Sequence, residues 1–324
     1  MAIALELLSV LLVRATVVLA LRRLLHIIGL KSIVLEIAWL IPAVLITFIV
    51  PWVFRSRAGW GWSEFGLDPQ NWLRLVLIGL VGFSLTLPVD LLIFWFNVDR
   101  YAEVAKAQGF DLAQFARLPI WQLLIWGCIG LPILTFLGAA LPEEFFYRGY
   151  IQGLLARSVG PASAFLVSMI QFSFGHYFAV PGGWFFALQT IPGSLLFGFL
   201  YLTTGSIIPG ITAHLLRNLV GSYLQFAHFT LGAGAFLGLA GVILAVSSGG
   251  WFLTRHGISQ HLAQGAEAIA RIPQESWLAA LGFLAVLIGF TLFRHIVGER
   301  WWVLAIVALG ALALFLLFVR LEEP

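Results

Sequence analysis

Apolar runs of about twenty residues, the length that crosses a ~30 Å hydrocarbon layer as a helix, recur along almost the whole chain. Read with that ruler, spans fall near 2–21, 33–54, 73–97, 120–141, 160–178, 184–204, 207–227, 231–254, 277–295 and 301–319. The first is weakened by Glu6 and Arg14, and 160–178 is short and partly polar. Only 10% of the 324 residues are charged and 61% are hydrophobic, where a soluble domain is about a quarter charged. A chain so poor in charge cannot cover a surface in water, so lipid is its solvent. The 28 Phe and 13 Trp fit that environment, since Trp gathers at membrane interfaces. The predicted fold is an all-α, polytopic bundle of about eight to ten transmembrane helices, placed in the cell membrane (the cytoplasmic membrane if the source is prokaryotic).

Three polar stretches separate groups of spans. Residues 55–72 mix aromatic and charged side chains as an interfacial segment does, 98–119 read as a surface-lying amphipathic piece, and 256–276 are the most soluble part. The last two spans then read as an appended hairpin over 277–324. The net charge of +3 comes from scattered basic residues, not the clustered patch that nucleic acid requires. Cys128 is the single cysteine, which leaves no internal disulfide and no cysteine metal site. Glu6 precedes any basic residue and no small-residue cleavage site follows, so the first span is expected to be retained. Basic residues flank successive loops on both sides, and the positive-inside rule gives no clear orientation.

Ionisable groups inside membrane helices are costly, and each is a functional candidate by default. Glu36 and Asp90 read as single carboxylates at helix ends or facing a bundle interior, and His228, His256, His261 and His295 fall at span ends or in loops. Three clusters stand apart. In Pro142-Glu143-Glu144-Phe145-Phe146-Tyr147-Arg148, adjacent carboxylates do not both ionise cheaply in a poorly solvated place. On a helix Arg148 follows Glu144 by one turn and can pair with it, leaving Glu143 pointing about 100° away. An interfacial salt bridge ending a helix explains this cluster equally well. In Phe172-Ser173-Phe174-Gly175-His176, Phe172 and His176 share one face; a lone His at a helix end is commonly structural. In His214-Leu215-Leu216-Arg217-Asn218, His214 and Asn218 share a face and can aim at one point. They need partners in an otherwise apolar helix, and an interhelical polar clamp is the alternative. Together, a carboxylate, two imidazoles and an amide suffice to activate a water and hold an oxyanion. Ser173 is the weaker candidate for a nucleophile.

At these residues the chain resembles the CAAX prenyl endopeptidase and bacteriocin-processing membrane proteases, also called the ABI or type II CAAX protease group. The family pattern of Glu-Glu-x-x-x-Arg, Phe-x-x-x-His and His-x-x-x-Asn on successive helices is present in order as Glu143-Glu144…Arg148, Phe172…His176 and His214…Asn218. The stretch Gly198-Phe199-Leu200-Tyr201-Leu202-Thr203-Thr204-Gly205-Ser206-Ile207 is also similar to the family's. The resemblance is clearest over about 120–220. It implies helices enclosing a polar catalytic cavity, with N-terminal helices over 1–119, a catalytic core over 120–230 and additional helices over 231–324. It implies Glu143 as general base, His176 as its helper, His214 and Asn218 as the oxyanion hole, and Arg148 holding Glu144 and the local helix end. The implied substrate is a membrane-anchored peptide or protein, prenylated or a leader peptide, presented by the lipid bilayer.

Two alternatives stay open. Glu143, His176 and His214 are a set that could bind zinc, although the two-histidine helical zincin motif is absent; the metal-free mechanism, with no cofactor, is the preferred one. The chain could instead be a non-enzymatic scaffold, an immunity factor or a transporter. A transporter would show matched repeats, and the sequence has none.

Overall fold

The computed structural model describes residues 2–27, 33–56, 58–68, 70–107, 119–179, 183–272, 275–297 and 300–322. Among them the chain is helical, with no strand. Among the described residues, five helices are long and apolar enough to cross a membrane: Ile3–Leu21, Trp72–Glu103, Trp121–Val159, Trp184–Thr204 and Trp277–Val297. Pro42–Ser56, Ala233–Ala245 and Trp302–Ala311 are shorter apolar helices. The 24-residue helix Ile208–Leu231, which carries His214, Arg217 and Asn218, is too polar to count with them. The architecture is the all-α, multi-pass bundle that the apolar runs imply.

The chain forms two compact units, each discontinuous in sequence. The first comprises Met1–Phe65, Phe145–Gln171 and Ile272–Pro324. Here helix Ala2–Ile27 packs against Ile33–Ser56, Trp277–Val297 and Trp301–Glu322, so the C-terminal hairpin lies on the first helix. The charges that weaken the first apolar run are satisfied inside it. Buried Glu6 pairs with Arg55 and accepts a hydrogen bond from the Tyr150 hydroxyl at 3.2 Å. Arg14 donates to Thr47 at 3.0 Å and lies over the Phe146 ring. Helix Pro161–Ala179 is capped from far along the chain: Glu275 accepts from the backbone N–H groups of Ala162 (3.2 Å) and Ser163 (2.7 Å), which have no partner within the helix. Further along, Gln171 donates to Thr291 at 3.0 Å.

The second unit comprises Gly66–Glu144 and Phe172–Arg271. Its core joins Phe83, Leu87 and Leu91 to Leu196, Phe197, Leu200, Ala213 and Leu224. Helices Trp72–Ala107 and Ile208–Leu231 approach closely because Gly79 has no side chain: a Cβ there would stand 2.5 Å from the Pro209 carbonyl oxygen and 2.7 Å from Thr212. The family-like stretch 198–207 comprises the last turns of helix Ile191–Thr204 and the short turn that leads into Ile208–Leu231. Gly205, at φ +66°, ends Ile191–Thr204 in the left-handed conformation that glycine adopts at little cost. Ser206 then donates to the Gly66 carbonyl at 2.9 Å.

Two helices run past the ends of their apolar segments. Trp72–Ala107 continues through the first part of the polar stretch 98–119, kinked at Asn97, whose side-chain amide donates to the Ile93 carbonyl at 2.8 Å. Residues 108–118 lie outside the described residues. Ala233–Ala270 likewise continues through most of 256–276. Between Ile120 and Val159 the helix is interrupted by π-helical turns at Trp126–Gly130, Phe136–Ala140 and Phe145–Gln152. At the first of these the Tyr223 hydroxyl donates to the Gly127 carbonyl at 2.6 Å, the kind of side-chain insertion that disturbs a regular ladder.

Gly79→Val is expected to lower stability by about 1–3 kcal/mol through overpacking. Gly241→Ala, with nothing within 4 Å of its added Cβ, is expected to leave stability unchanged or slightly raised. Thermal unfolding of the two purified variants in detergent checks both.

Candidate active site

Glu143 and Glu144 close the short α-helical turn Leu141–Glu144, just before the π-helical segment Phe145–Gln152. As neighbours on a helix they point in different directions, about 100° apart, and they meet different groups. Glu144 is fully buried and its Oε1 accepts a hydrogen bond from His214 Nδ1 at 2.9 Å. Glu143 is partly exposed, with its Oε2 3.9 Å from His176 Nε2 and 3.9 Å from His214 Nε2. That oxygen is buried and makes no hydrogen bond among the described residues.

Both imidazoles are held from behind. His176, on helix Pro161–Ala179, has its Nδ1 2.8 Å from the Phe172 carbonyl oxygen one turn earlier. A carbonyl only accepts, so Nδ1 carries a proton and Nε2 is turned toward Glu143. The Phe172 ring also lies 4.6 Å from the His176 ring. His214 is 4% exposed and stacks on Phe197 at 4.6 Å with a 13° interplanar angle. Phe172 stands edge-on to it at 6.0 Å. The ring is thus fixed by stacking and by Glu144, with Nε2 facing the same carboxylate that His176 faces. Gly210, one turn before His214, makes room for Glu144: a Cβ there would come within 2.8 Å of its Oε2.

The structure therefore brings together Glu143, Glu144, His176 and His214. Asn218 lies one turn beyond His214 on the same helix, half-buried, and its side chain makes no hydrogen bond among the described residues. Arg148 is wholly buried, its guanidinium 6.0 Å from the Tyr147 ring centre, and belongs to the first compact unit. It follows Glu144 in the π-helical segment Phe145–Gln152. Ser173 is buried with its hydroxyl unbonded among the described residues, so no base is poised to activate it. Glu36 and His256 lie outside the described side chains, and Cys128 is exposed.

The donor types of Glu143, His176 and His214 suit zinc, which needs ligand atoms converging to about 2.0–2.2 Å from the metal. Among the described residues, however, no three His, Cys, Asp or Glu side chains are gathered so as to hold a metal ion. Three contributors to the site were not singled out by sequence: Gly210, Phe197 and the pairing of Glu144 with His214. The first two look like ordinary apolar filler in a membrane helix, and the third joins residues 70 apart in the chain.

Gly210→Ala is expected to push the Glu144 carboxylate away from His214, leaving a buried polar pair broken. The cost is about 1–3 kcal/mol, read as a lower unfolding temperature of the purified protein.

No curated protein and no solved structure matches the chain. A family model does, the one described as type II CAAX prenyl endopeptidase Rce1-like, and it covers residues 123–220. Glu143, Glu144, Arg148, His176, His214 and Asn218 all fall within that stretch, which is similar to the Rce1-like type II CAAX prenyl endopeptidase family.

Proposed function

We propose that this multi-pass membrane protein is a hydrolase that cuts a peptide bond in a membrane-anchored substrate of CAAX type, using a water activated by Glu143 and His176. The observation that carries the reading is the buried Glu143 Oε2, unbonded among the described residues and faced by two imidazole Nε2 atoms at 3.9 Å. That separation exceeds direct hydrogen-bond length but is within the span of one shared water. As the water's oxygen adds to the carbonyl carbon, an ionised Glu143 takes one of its protons, and its other O–H donates a hydrogen bond to the Nε2 lone pair of neutral His176. The carboxyl so formed then returns its proton to the leaving amine.

The developing oxyanion needs donors. His214 donates from Nε2 as an imidazolium, balanced by the Glu144 carboxylate on Nδ1, and the Asn218 amide, one turn along the same helix, donates beside it. Binding of the substrate segment in the membrane brings the carbonyl to these donors, and the hydrogen bonds shorten as it enters. No metal takes part in this scheme.

Glu143→Gln keeps shape and removes the base, so turnover should fall by about 10²- to 10⁴-fold. Asn218→Ala should lose about 10²- to 10³-fold as an oxyanion donor goes. Both should insert and fold as the parent does. Arg148→Ala differs, since it hollows out a fully buried site, and should lower protein yield along with activity. The assay is cleavage of a farnesylated CAAX peptide and of its unprenylated counterpart by purified protein. Wild-type turnover by Glu143→Gln on a peptide the wild type cuts would sink Glu143 as the base, and failure of the wild type to cut either peptide would sink the hydrolase reading and leave a scaffold or immunity role.

Metal content is a separate measurement. Purified protein is expected to carry no stoichiometric zinc and to keep its activity after extensive chelation. One zinc per chain, lost together with activity on mutating either histidine, would reverse the metal-free scheme.

A further inference from the structure

Outside the site, the second unit buries a complete ion pair. Asp90, on helix Trp72–Ala107, is 3% exposed. Arg217 Nε donates to both of its carboxylate oxygens at 3.0 Å, and Arg217 Nη2 donates to Oδ1 at 2.8 Å. The same Nη2 also donates to the Gln189 carbonyl at 2.8 Å, at the end of helix Trp184–Gln189. Space for the guanidinium comes from Gly193, where a Cβ would stand 2.7 Å from Nη1. One side chain thus ties the His214 helix to two other segments. Arg217 lies three residues after His214 and one before Asn218.

The ion pair sits between two close approaches of the same helices. Gly79 admits Pro209 and Thr212 on one side, and on the other Gly221 admits the Phe94 ring, which would be 2.4 Å from an added Cβ. The three contacts run in the same order along both helices, so the helices are parallel in chain direction. Glycine contacts set how near the two helices come, but a backbone lying against a ring or a methyl tolerates some roll about the helix axis. A forked guanidinium–carboxylate pair tolerates little, because two bonds must keep their directions at once. Side-chain tips stand about 5–6 Å from the axis of a helix. A roll of about 20° therefore moves them about 2 Å, where an error of about 1 Å in a catalytic geometry can cost 100-fold. A buried ion pair is also a weak source of stability compared with apolar residues of the same volume. Stability alone does not account for it here.

We propose that the Asp90–Arg217 pair is a positioning device. It sets the roll of the helix bearing His214 and Asn218, aims both toward Glu143, and so acts on kcat more than on KM. This inference rests on the hydrolase reading above, and its test separates the two.

The double variant Asp90→Leu/Arg217→Met removes both charges with little change of volume, and Arg217→Lys keeps the charge but loses the fork. Each is compared with the parent for unfolding temperature and for cleavage of the farnesylated peptide. The double variant should unfold within a few degrees of the parent, while kcat falls by about tenfold or more in both variants and KM stays within about twofold. Parental kcat in either folded variant overturns the proposal. If the double variant does not fold, Arg217→Lys decides. A readout free of turnover uses a Glu143→Cys/His214→Cys pair in a Cys128→Ser background with a short thiol crosslinker. Crosslinking yield should fall when Arg217→Lys is added, and an unchanged yield overturns the proposal. Should the parent cleave neither peptide, the hydrolase reading fails while the crosslinking result still judges the clamp.

Discussion

A polar group placed among lipid tails has no water to fall back on, so it must find its partner within the protein. This constraint organises the molecule. Glu6 takes Arg55 and Tyr150, Arg14 takes Thr47, and Asp90 takes Arg217. Each pairing joins two different helices and fixes their side chains more narrowly than apolar contact does. Glu143 differs from these three: one of its oxygens is buried and lies just beyond hydrogen-bond reach of two imidazoles. A group left nearly but not fully satisfied, while its neighbours are closely tied, fits a site kept ready for a reactant.

The adjacent carboxylates divide the labour that two like charges could not share at one point. Glu144 is buried against His214 Nδ1 and holds the ring, whereas Glu143 stays partly exposed and faces the Nε2 atoms. The stacked Phe197 and the edge of Phe172 complete the cage around His214. Glycine matters for a related reason. At Gly79, Gly193, Gly210 and Gly221 the absent side chain is what lets a backbone, a guanidinium, a carboxylate or a ring come close. In a membrane, such close approach stands in for the solvent-driven packing of soluble cores.

Much of this was legible in the sequence. Length and apolarity marked most of the helices, and one-turn spacing put Phe172 with His176 and His214 with Asn218 on common faces. The places where the reading stopped have specific causes. Hydropathy marks where an apolar environment ends, not where a hydrogen-bonded helix ends, so Trp72–Ala107 and Ala233–Ala270 both run on into polar sequence. Spacing rules also see only local partners. They could not offer His214 to Glu144, and they treated Asp90 alone because Arg217 lies 127 residues away. The π-helical turns escaped for the same reason: helical periodicity assumes one pitch throughout.

Helix Pro161–Ala179 delivers His176 at one end, and at the other its first amides are capped by Glu275, 112 and 113 residues later. During synthesis, then, every motif residue has left the ribosome well before that cap exists. A nascent chain ending short of residue 275 carries the whole set of reactive groups on a helix whose first turn is still open. Emergence of Glu275, just ahead of the two C-terminal helices, is therefore what supplies the cap to a helix made long before it.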